Sequence, residues 1–176
     1  VIDTEGDNFL GGKNIDFAIV DDMLIPHLKQ KFSIQSIVED PNKFEVLRNA
    51  MKYFAEEVKI QMSFSDTYNL LSNLGDIPGE DDEDNEFELD ITITGDEFSQ
   101  VVTPIFQKAV DICRDLLQRN DVQNSQLDKL ILVGGPTFSP ILRKMLKEQI
   151  TEKVDTSCNP MTVVAKGAAL YASTID

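Results

Sequence analysis

The segment Leu130-Ile131-Leu132-Val133-Gly134-Gly135-Pro136-Thr137-Phe138-Ser139-Pro140 limits what this chain can fold into more than any other. A continuous apolar run of strand length ends at two glycines, and Ser-Pro just behind them signals a helix start. Such a turn suits a phosphate or a sugar. The strand fixes position, the glycines let a ligand approach the backbone, and the helix start offers N–H groups and positive dipole potential. It equally suits a plain strand-to-helix connection. It is neither the three-glycine dinucleotide fingerprint nor a Walker loop, which ends in Gly-Lys-Ser/Thr.

The chain has 176 residues, enough for one domain or two small lobes, and no apolar run reaches membrane-spanning length. It carries no signal-peptide pattern and opens on Val1-Ile2-Asp3, which reads as a strand end in an excised piece of a longer protein. A net charge of −15 argues against nucleic acid as a partner. Much of that charge sits in Glu80-Asp81-Asp82-Glu83-Asp84, with Glu86, Glu88 and Asp90 beyond. The run lacks the alternating ligands and inner glycine of a calcium loop, so a solvated loop is expected. Cys113 and Cys158 have no metal spacing and are compatible with a single disulfide, with Cys113 placed to pack as a small apolar group. His27 has no acid or nucleophile near it in sequence and reads as a surface or partly packed helix residue.

The apolar periodicity predicts helices over residues 14–32, interrupted by a kink or stop at Pro26, and over 41–64, capped by Asp40. A hairpin follows, with arms at 67–74 and 87–94 around the acidic loop. Phe87, Leu89, Ile91 and Ile93 alternate with polar residues, so one face of the second arm is wet. Thr94 and Glu97 match a capping box that starts a helix to Arg119, bent at Pro104. Then come a buried strand at 130–133, a helix from Ser139-Pro140 to Gln149, a short strand at Val154, and a last helix from Asn159-Pro160. Gly167, Ala168 and Ala169 allow that helix to approach a sheet closely.

Three separated segments together resemble one family, the seventy-kilodalton heat-shock chaperones of the DnaK type. Asp7-Asn8-Phe9-Leu10-Gly11-Gly12-Lys13-Asn14-Ile15-Asp16 resembles their entry into the smaller half of the second ATPase lobe. Leu132-Val133-Gly134-Gly135-Pro136-Thr137 resembles their adenosine-side glycine turn, and the run from Asn159-Pro160 to Ala169 resembles the helix that closes their ATPase domain. The resemblance covers essentially the whole chain. It implies an α/β fold, α+β in the inserted half. This is most of lobe II of an actin-like ATPase domain, with helices packed on a small mixed sheet plus an antiparallel hairpin. Residues 1–12 are then the strand end and hinge of an inner half-lobe. Residues 13–122 form the outer half-lobe, whose acidic loop spans 76–88, and 123–176 complete the inner half-lobe.

By the same resemblance, Glu56, Lys59, Ile60 and Ser63 face ribose and adenine. Gly134, Gly135, Pro136 and Phe138 line the other side, and Gly11 and Gly12 lie near the phosphates. Independently, Glu56, Lys59 and Ser63 recur at helical spacing on one face; the bland reading is an exposed Glu56–Lys59 pair. The chain departs from the family at four positions. Ile60 and Phe138 replace two arginines that sandwich adenine, Pro136 replaces a serine, and Met161 replaces an acidic residue. Phe138 can stack on a base or belong to the core.

The implied function is adenine-nucleotide binding by one lobe of a cytoplasmic, stress-response chaperone ATPase. Its cofactors are ATP or ADP, with Mg2+ held through the phosphates, and its partners are lobe I of the parent chain and an exchange factor or co-chaperone. No phosphate loop or catalytic residue is present, so the chain alone is expected not to hydrolyse ATP. The alternatives are a non-catalytic interaction module of the same fold, for which the acidic hairpin suits a basic partner, and another actin-like protein such as a sugar kinase or filament subunit. The Asn-Pro/Gly-Ala-Ala helix disfavours the last.

Overall fold

A computed structural model describes residues 1–8 and 10–175; Phe9, within the first family-like segment, and Asp176 lie outside the described residues. The chain packs as two compact units, residues 13–102 and residues 1–12 with 103–176.

The unit 13–102 opens on a continuous helical run: α1 (Gly12–Ile19), a π-helical turn (Val20–Leu24) and α2 (Ile25–Lys31). Pro26 neither stops nor ends this run. Its ring clashes with the carbonyl four residues back and it donates no hydrogen bond. The π turn absorbs both defects by widening the ladder, with Ile25 N–H donating to Val20 O. α3 (Gln35–Glu39) and α4 (Pro41–Gln61) follow. The expected cap is present: Asp40 Oδ1 accepts from the backbone N–H of Asn42 at 2.9 Å and of Lys43 at 3.2 Å. β1 (Thr67–Leu71) and β2 (Asp90–Thr94) pair antiparallel, from Thr67 opposite Thr94 to Leu71 opposite Asp90. The paired arms are shorter than the alternation suggests. The capping box forms as read: Thr94 N–H donates to Glu97 Oε2 at 3.0 Å and Glu97 N–H reaches Thr94 Oγ1 at 3.4 Å. It opens α5 (Gly95–Arg119), which continues past Pro104 into the other unit. Ile19, Leu24, Leu28, Met51, Val58, Leu70, Ile93 and Val102 are fully buried in this unit, and Phe87 packs edge-on to Phe32 at 5.3 Å.

The acidic loop is exposed at Glu80, Asp82, Glu83, Asp84 and Glu86, as its composition suggests, but it is also anchored at its base. Asp81 is buried, and its carboxylate accepts from the backbone N–H groups of Glu83, Asn85 and Ser33 and from the Asn85 amide. Desolvation pushes the Asp81 pKa up, but these donors outweigh it and hold the carboxyl below its ordinary value. Asp82 accepts from the Ser36 hydroxyl and backbone N–H, and Glu83 from the Ser33 hydroxyl. A charge run reads as water-loving; here serines at the start of α3 supply donors that fasten it down.

In the unit formed by 1–12 and 103–176, Val1 and Ile2 are exposed and make no strand, because no neighbouring strand is available to them among the described residues. Arg119 instead holds this segment, with an ion pair to Asp3 at 2.7 Å and another to Glu5. β3 (Leu130–Ile131) and β4 (Val154–Asp155) make a two-stranded parallel ladder rather than a mixed sheet, Leu130 opposite Val154. The run 130–133 is not buried as a whole. Leu132 is buried, but Ile131 and Val133 are 54% and 48% exposed, since one two-residue neighbour cannot cover both faces. α6 (Pro140–Gln149) buries Leu142, Met145 and Leu146. α7 (Val163–Ala172) starts beyond Asn159-Pro160, which forms a turn: Asn159 Oδ1 accepts from Met161 N–H and Asn159 O from Val163 N–H. No α7 residue is buried, and no atom lies within 4 Å of where a Cβ would stand on Gly167, so the expected helix–sheet approach is not made here.

Both cysteines are free thiols; Cys113 is half-buried, which pushes its pKa up, and Cys158 is exposed. His27 is partly packed, as expected. Burial, then Lys31, lowers its pKa.

Candidate functional site

The first set of candidate residues lies at the end of α4, in the unit 13–102. Leu47, Met51, Phe54, Ala55 and Val58 turn inward, so the opposite face carries Glu56 and Ile60 outward; Ile60 is 49% exposed. Lys59 sits at the border of the two faces. Its Nζ donates to Asp16 Oδ1 at 2.5 Å, and Asp16, on α1, is 3% exposed. The exposed Glu56–Lys59 pair therefore does not form: the ammonium turns to a buried carboxylate. Removing either partner strands the other charge in a poorly hydrated place. Ser63, just past the helix end, donates its hydroxyl to Lys59 O at 2.9 Å. Lys59 thus arrives pre-aimed, with donors beyond the one used by Asp16.

The second set lies in the other unit. Gly134 has φ +92°, which side chains resist, so glycine is required there. Its N–H donates to Pro160 O at 3.0 Å, and its carbonyl accepts from Thr137 N–H at 3.1 Å and Thr137 Oγ1 at 2.6 Å. Gly135–Phe138 form a 3₁₀ turn, and Met161 Sδ lies 3.6 Å from where a Cβ on Gly135 would stand. Met161 thus covers the glycine turn from the Asn-Pro side. Phe138 is half-buried, and the Arg143 guanidinium lies 5.8 Å from its ring centroid, with Arg143 Nε donating to Thr137 O at 2.6 Å. Ser139 occupies the cap position of α6 but its side chain caps nothing; its buried hydroxyl has no partner among the described residues. Pro140 also lacks a donor, so this helix start offers fewer N–H groups than the sequence pattern suggests.

Gly11 is exposed, with no atom within 4 Å of where a Cβ would stand, and Gly12 begins α1. The candidates thus form separate groups: Glu56, Lys59, Ile60 and Ser63 on one element, and Gly134, Gly135, Pro136 and Phe138 around one turn, each within its own unit. Two neighbours escape a reading by residue type. Asp16 carries no signal until its burial beneath Lys59 is seen, and Arg143 is close to Phe138 only because the 3₁₀ turn folds back. Among the described residues no cluster of His, Cys, Asp or Glu is arranged to hold a metal.

A glycine-held turn beside a helix start and, in the other unit, a lysine aimed by a buried carboxylate are the features that the structure shows at the candidate residues. The Hsp70 protein family model matches residues 1–175, so the chain belongs to the Hsp70 family and is a DnaK-type ATPase-domain fragment, a family whose ATPase domain has the actin-like fold. Three proteins named Chaperone protein DnaK are similar to it. That of Methanothermobacter thermautotrophicus is 33% identical over 175 residues, 98% of this chain and 27% of the relative. Those of Nitrosopumilus maritimus and Mycoplasmopsis pulmonis are each 27% identical over 99% of this chain, covering 26% and 28% of the relatives. The chain spans about a quarter of the length of these curated relatives. Among the described residues no helix is long and apolar enough to cross a membrane.

Proposed function

We propose that this chain is most of lobe II of a chaperone ATPase domain and contributes the nucleoside-facing half of an ATP/ADP site. Residues 13–122 serve as the outer half-lobe and 1–12 with 123–176 as the inner one. The observation that carries this reading is the fixed glycine turn: Gly134 is held at a backbone angle only glycine adopts freely, inside the segment that resembles the family's adenosine turn.

The residues fit an adenosine in part. Lys59, aimed by Asp16, has N–H groups for ribose hydroxyls, and Glu56 has an exposed carboxylate to accept from them. Ser63 Oγ retains lone pairs for the adenine amine while its proton bonds Lys59 O. The Gly134-Gly135 backbone admits close approach, and Phe138 supplies an aromatic face. Ile60 offers apolar contact where the family places arginine, and Arg143, beside Phe138, returns some positive charge. Pro136 and Met161 remove a donor and an acid, so base selectivity is weaker than in a two-arginine sandwich. ATP supplies the reactive phosphates and Mg2+ travels on them; hydrolysis, the cytoplasmic stress role and exchange-factor contacts belong to the two-lobe parent.

Isothermal titration of ATP, ADP and adenosine into a protein carrying both lobes tests this. Binding of all three, with the phosphates adding affinity, is the expected result. No heat at about millimolar nucleotide, a Kd limit near −4 kcal/mol, would leave the chain as an interaction module.

A further inference from the structure

A cavity of about 350 Å³ lies wholly within the unit 13–102, away from every candidate residue above and from the acidic loop. Three parts of the fold wall it: the π turn with α2, strand β2, and the first turns of α5. Its volume is at the small end of the range of small-molecule sites, about 300–1,000 Å³. Met23, Pro26, Ile91 and Val101 supply apolar surface. Asp22 and Glu97 are its two acids, and no lysine or arginine lines it.

The polar groups of this cavity are not used up by the fold. Asp22 is exposed, and neither it nor Glu97 forms an ion pair among the described residues. Glu97 accepts from the Thr94 N–H and hydroxyl through Oε2 alone, and the capping box asks nothing of its other oxygen. His27 Nε2 is shielded from bulk water and has no hydrogen-bond partner among the described residues. A polar atom in that state on a cavity wall calls for an occupant that bonds it, a water molecule or a ligand. Burial and then Lys31 lower the His27 pKa, against a smaller opposing pull from Asp90, so the ring is neutral at pH 7 and does not repel a cation. In its Nδ1–H form it accepts at Nε2. The π turn lies where Asp22 and Met23 enter the cavity, and such local widenings of a helix recur at functional sites.

We propose that this cavity binds a small organic amine in its ammonium form. The charge meets the Asp22 and Glu97 carboxylates and donates to His27 Nε2, and a short apolar body rests on Met23, Ile91 and Val101. An anion would meet two carboxylates and no compensating cation there. The site is independent of the nucleotide reading and stands or falls separately from it.

His27 is the single histidine of the chain, so its imidazole C–H signals in the proton NMR spectrum report on this cavity without ambiguity. The probes are benzylamine, benzyl alcohol, benzoate and methylamine, added to the chain at pH 7 and constant ionic strength. Benzylamine should shift the His27 signals saturably with a Kd of about 1 mM or tighter, and the other three should bind at least about tenfold more weakly. The double variant Asp22→Asn/Glu97→Gln, whose Gln keeps the capping box, should weaken benzylamine about tenfold. Val101→Ser should weaken it by a smaller factor. The double variant Glu80→Gln/Asp84→Asn removes equal charge from the exposed acidic loop, keeps the left-handed turn at φ +61°, and should leave binding unchanged. Far-ultraviolet circular dichroism of each variant checks that folding is retained, and the comparison of probes on the parent chain needs no variant. Benzyl alcohol binding as well as benzylamine would overturn the proposal. Equal weakening by the two double variants would reduce the effect to bulk attraction by an acidic chain and overturn it too. No saturable shift at about 10 mM benzylamine would also overturn it, and would leave the cavity to water.

Discussion

The two units of this protein use similar sequence material to different ends. In the unit 13–102, helices and hairpin close around one another, and 20 of the 27 buried apolar side chains among the described residues belong to it. The other unit, of nearly the same length, holds the remaining seven, and leaves Ile131, Val133, Met161, Val164, Leu170 and Tyr171 exposed. Apolar pattern alone therefore does not make a core. A strand or helix buries its face only where a second layer exists to receive it, and the second unit carries a two-residue ladder and an uncovered helix instead.

The largest effect should come from the closed unit. Phe87→Ala empties a site 1% exposed, in edge contact with Phe32, and is expected to cost about 3–5 kcal/mol in urea unfolding. A cost under about 1 kcal/mol would mean that this unit is no better packed than its neighbour. Next is Asp16→Ala, which leaves the largely buried Lys59 ammonium unpaired. About 2–3 kcal/mol is expected, discounted from the fully buried case because Lys59 keeps 18% side-chain exposure. Its rescue in the double variant Asp16→Ala/Lys59→Met separates a stranded charge from lost packing.

In the open unit, Gly134→Ala forces a side chain to φ +92° and should cost about 1–3 kcal/mol. Amide exchange should show the loss confined to the turn and the Pro160 contact rather than spread to 13–102. A smaller effect is tied to pH. Bonds from Asn120 and then Arg119 hold the Asp3 carboxyl down at about 2, against an ordinary 3.8. A depressed folded-state pKa gives stability that is present above the ordinary value and fades as pH falls from about 4 toward 2. Protection of the Thr4 amide, its exchange relative to the unstructured rate at each pH, should fall over that window, and Arg119→Ala should lower it at neutral pH. The smallest effect is Leu170→Ala on exposed α7, within about 0.5 kcal/mol. A larger cost would show that α7 is covered in solution, and would erase the contrast between the units.

How far the sequence could be read follows the same contrast. Where a local rule is self-contained, it held: the Asp40 cap, the Thr94–Glu97 box, and the positions of α4, α5 and α6. Where the outcome depends on partners distant in sequence, it did not. Leu130–Val133 has the composition of a buried strand but too little sheet beside it. The acidic loop is exposed as its composition suggests, but composition is blind to Ser33 and Ser36, which tie it down. Of the kink or early stop that Pro26 predicts, the stop does not occur, because a π turn carries the helix past it. At the candidate site, Lys59 is visible from spacing, whereas Asp16 beneath it and Arg143 beside Phe138 emerge only from three-dimensional packing.

The proposal beneath this account, drawn from the family resemblance, is that both groups of candidate residues serve adenosine. Amide shift mapping on a protein carrying both lobes, titrated with adenosine, tests it in a single measurement. The account predicts that Lys59, Ser63, Gly134 and Gly135 shift together with one midpoint. If only one group responds, or the two respond at different concentrations, the shared nucleoside site does not exist.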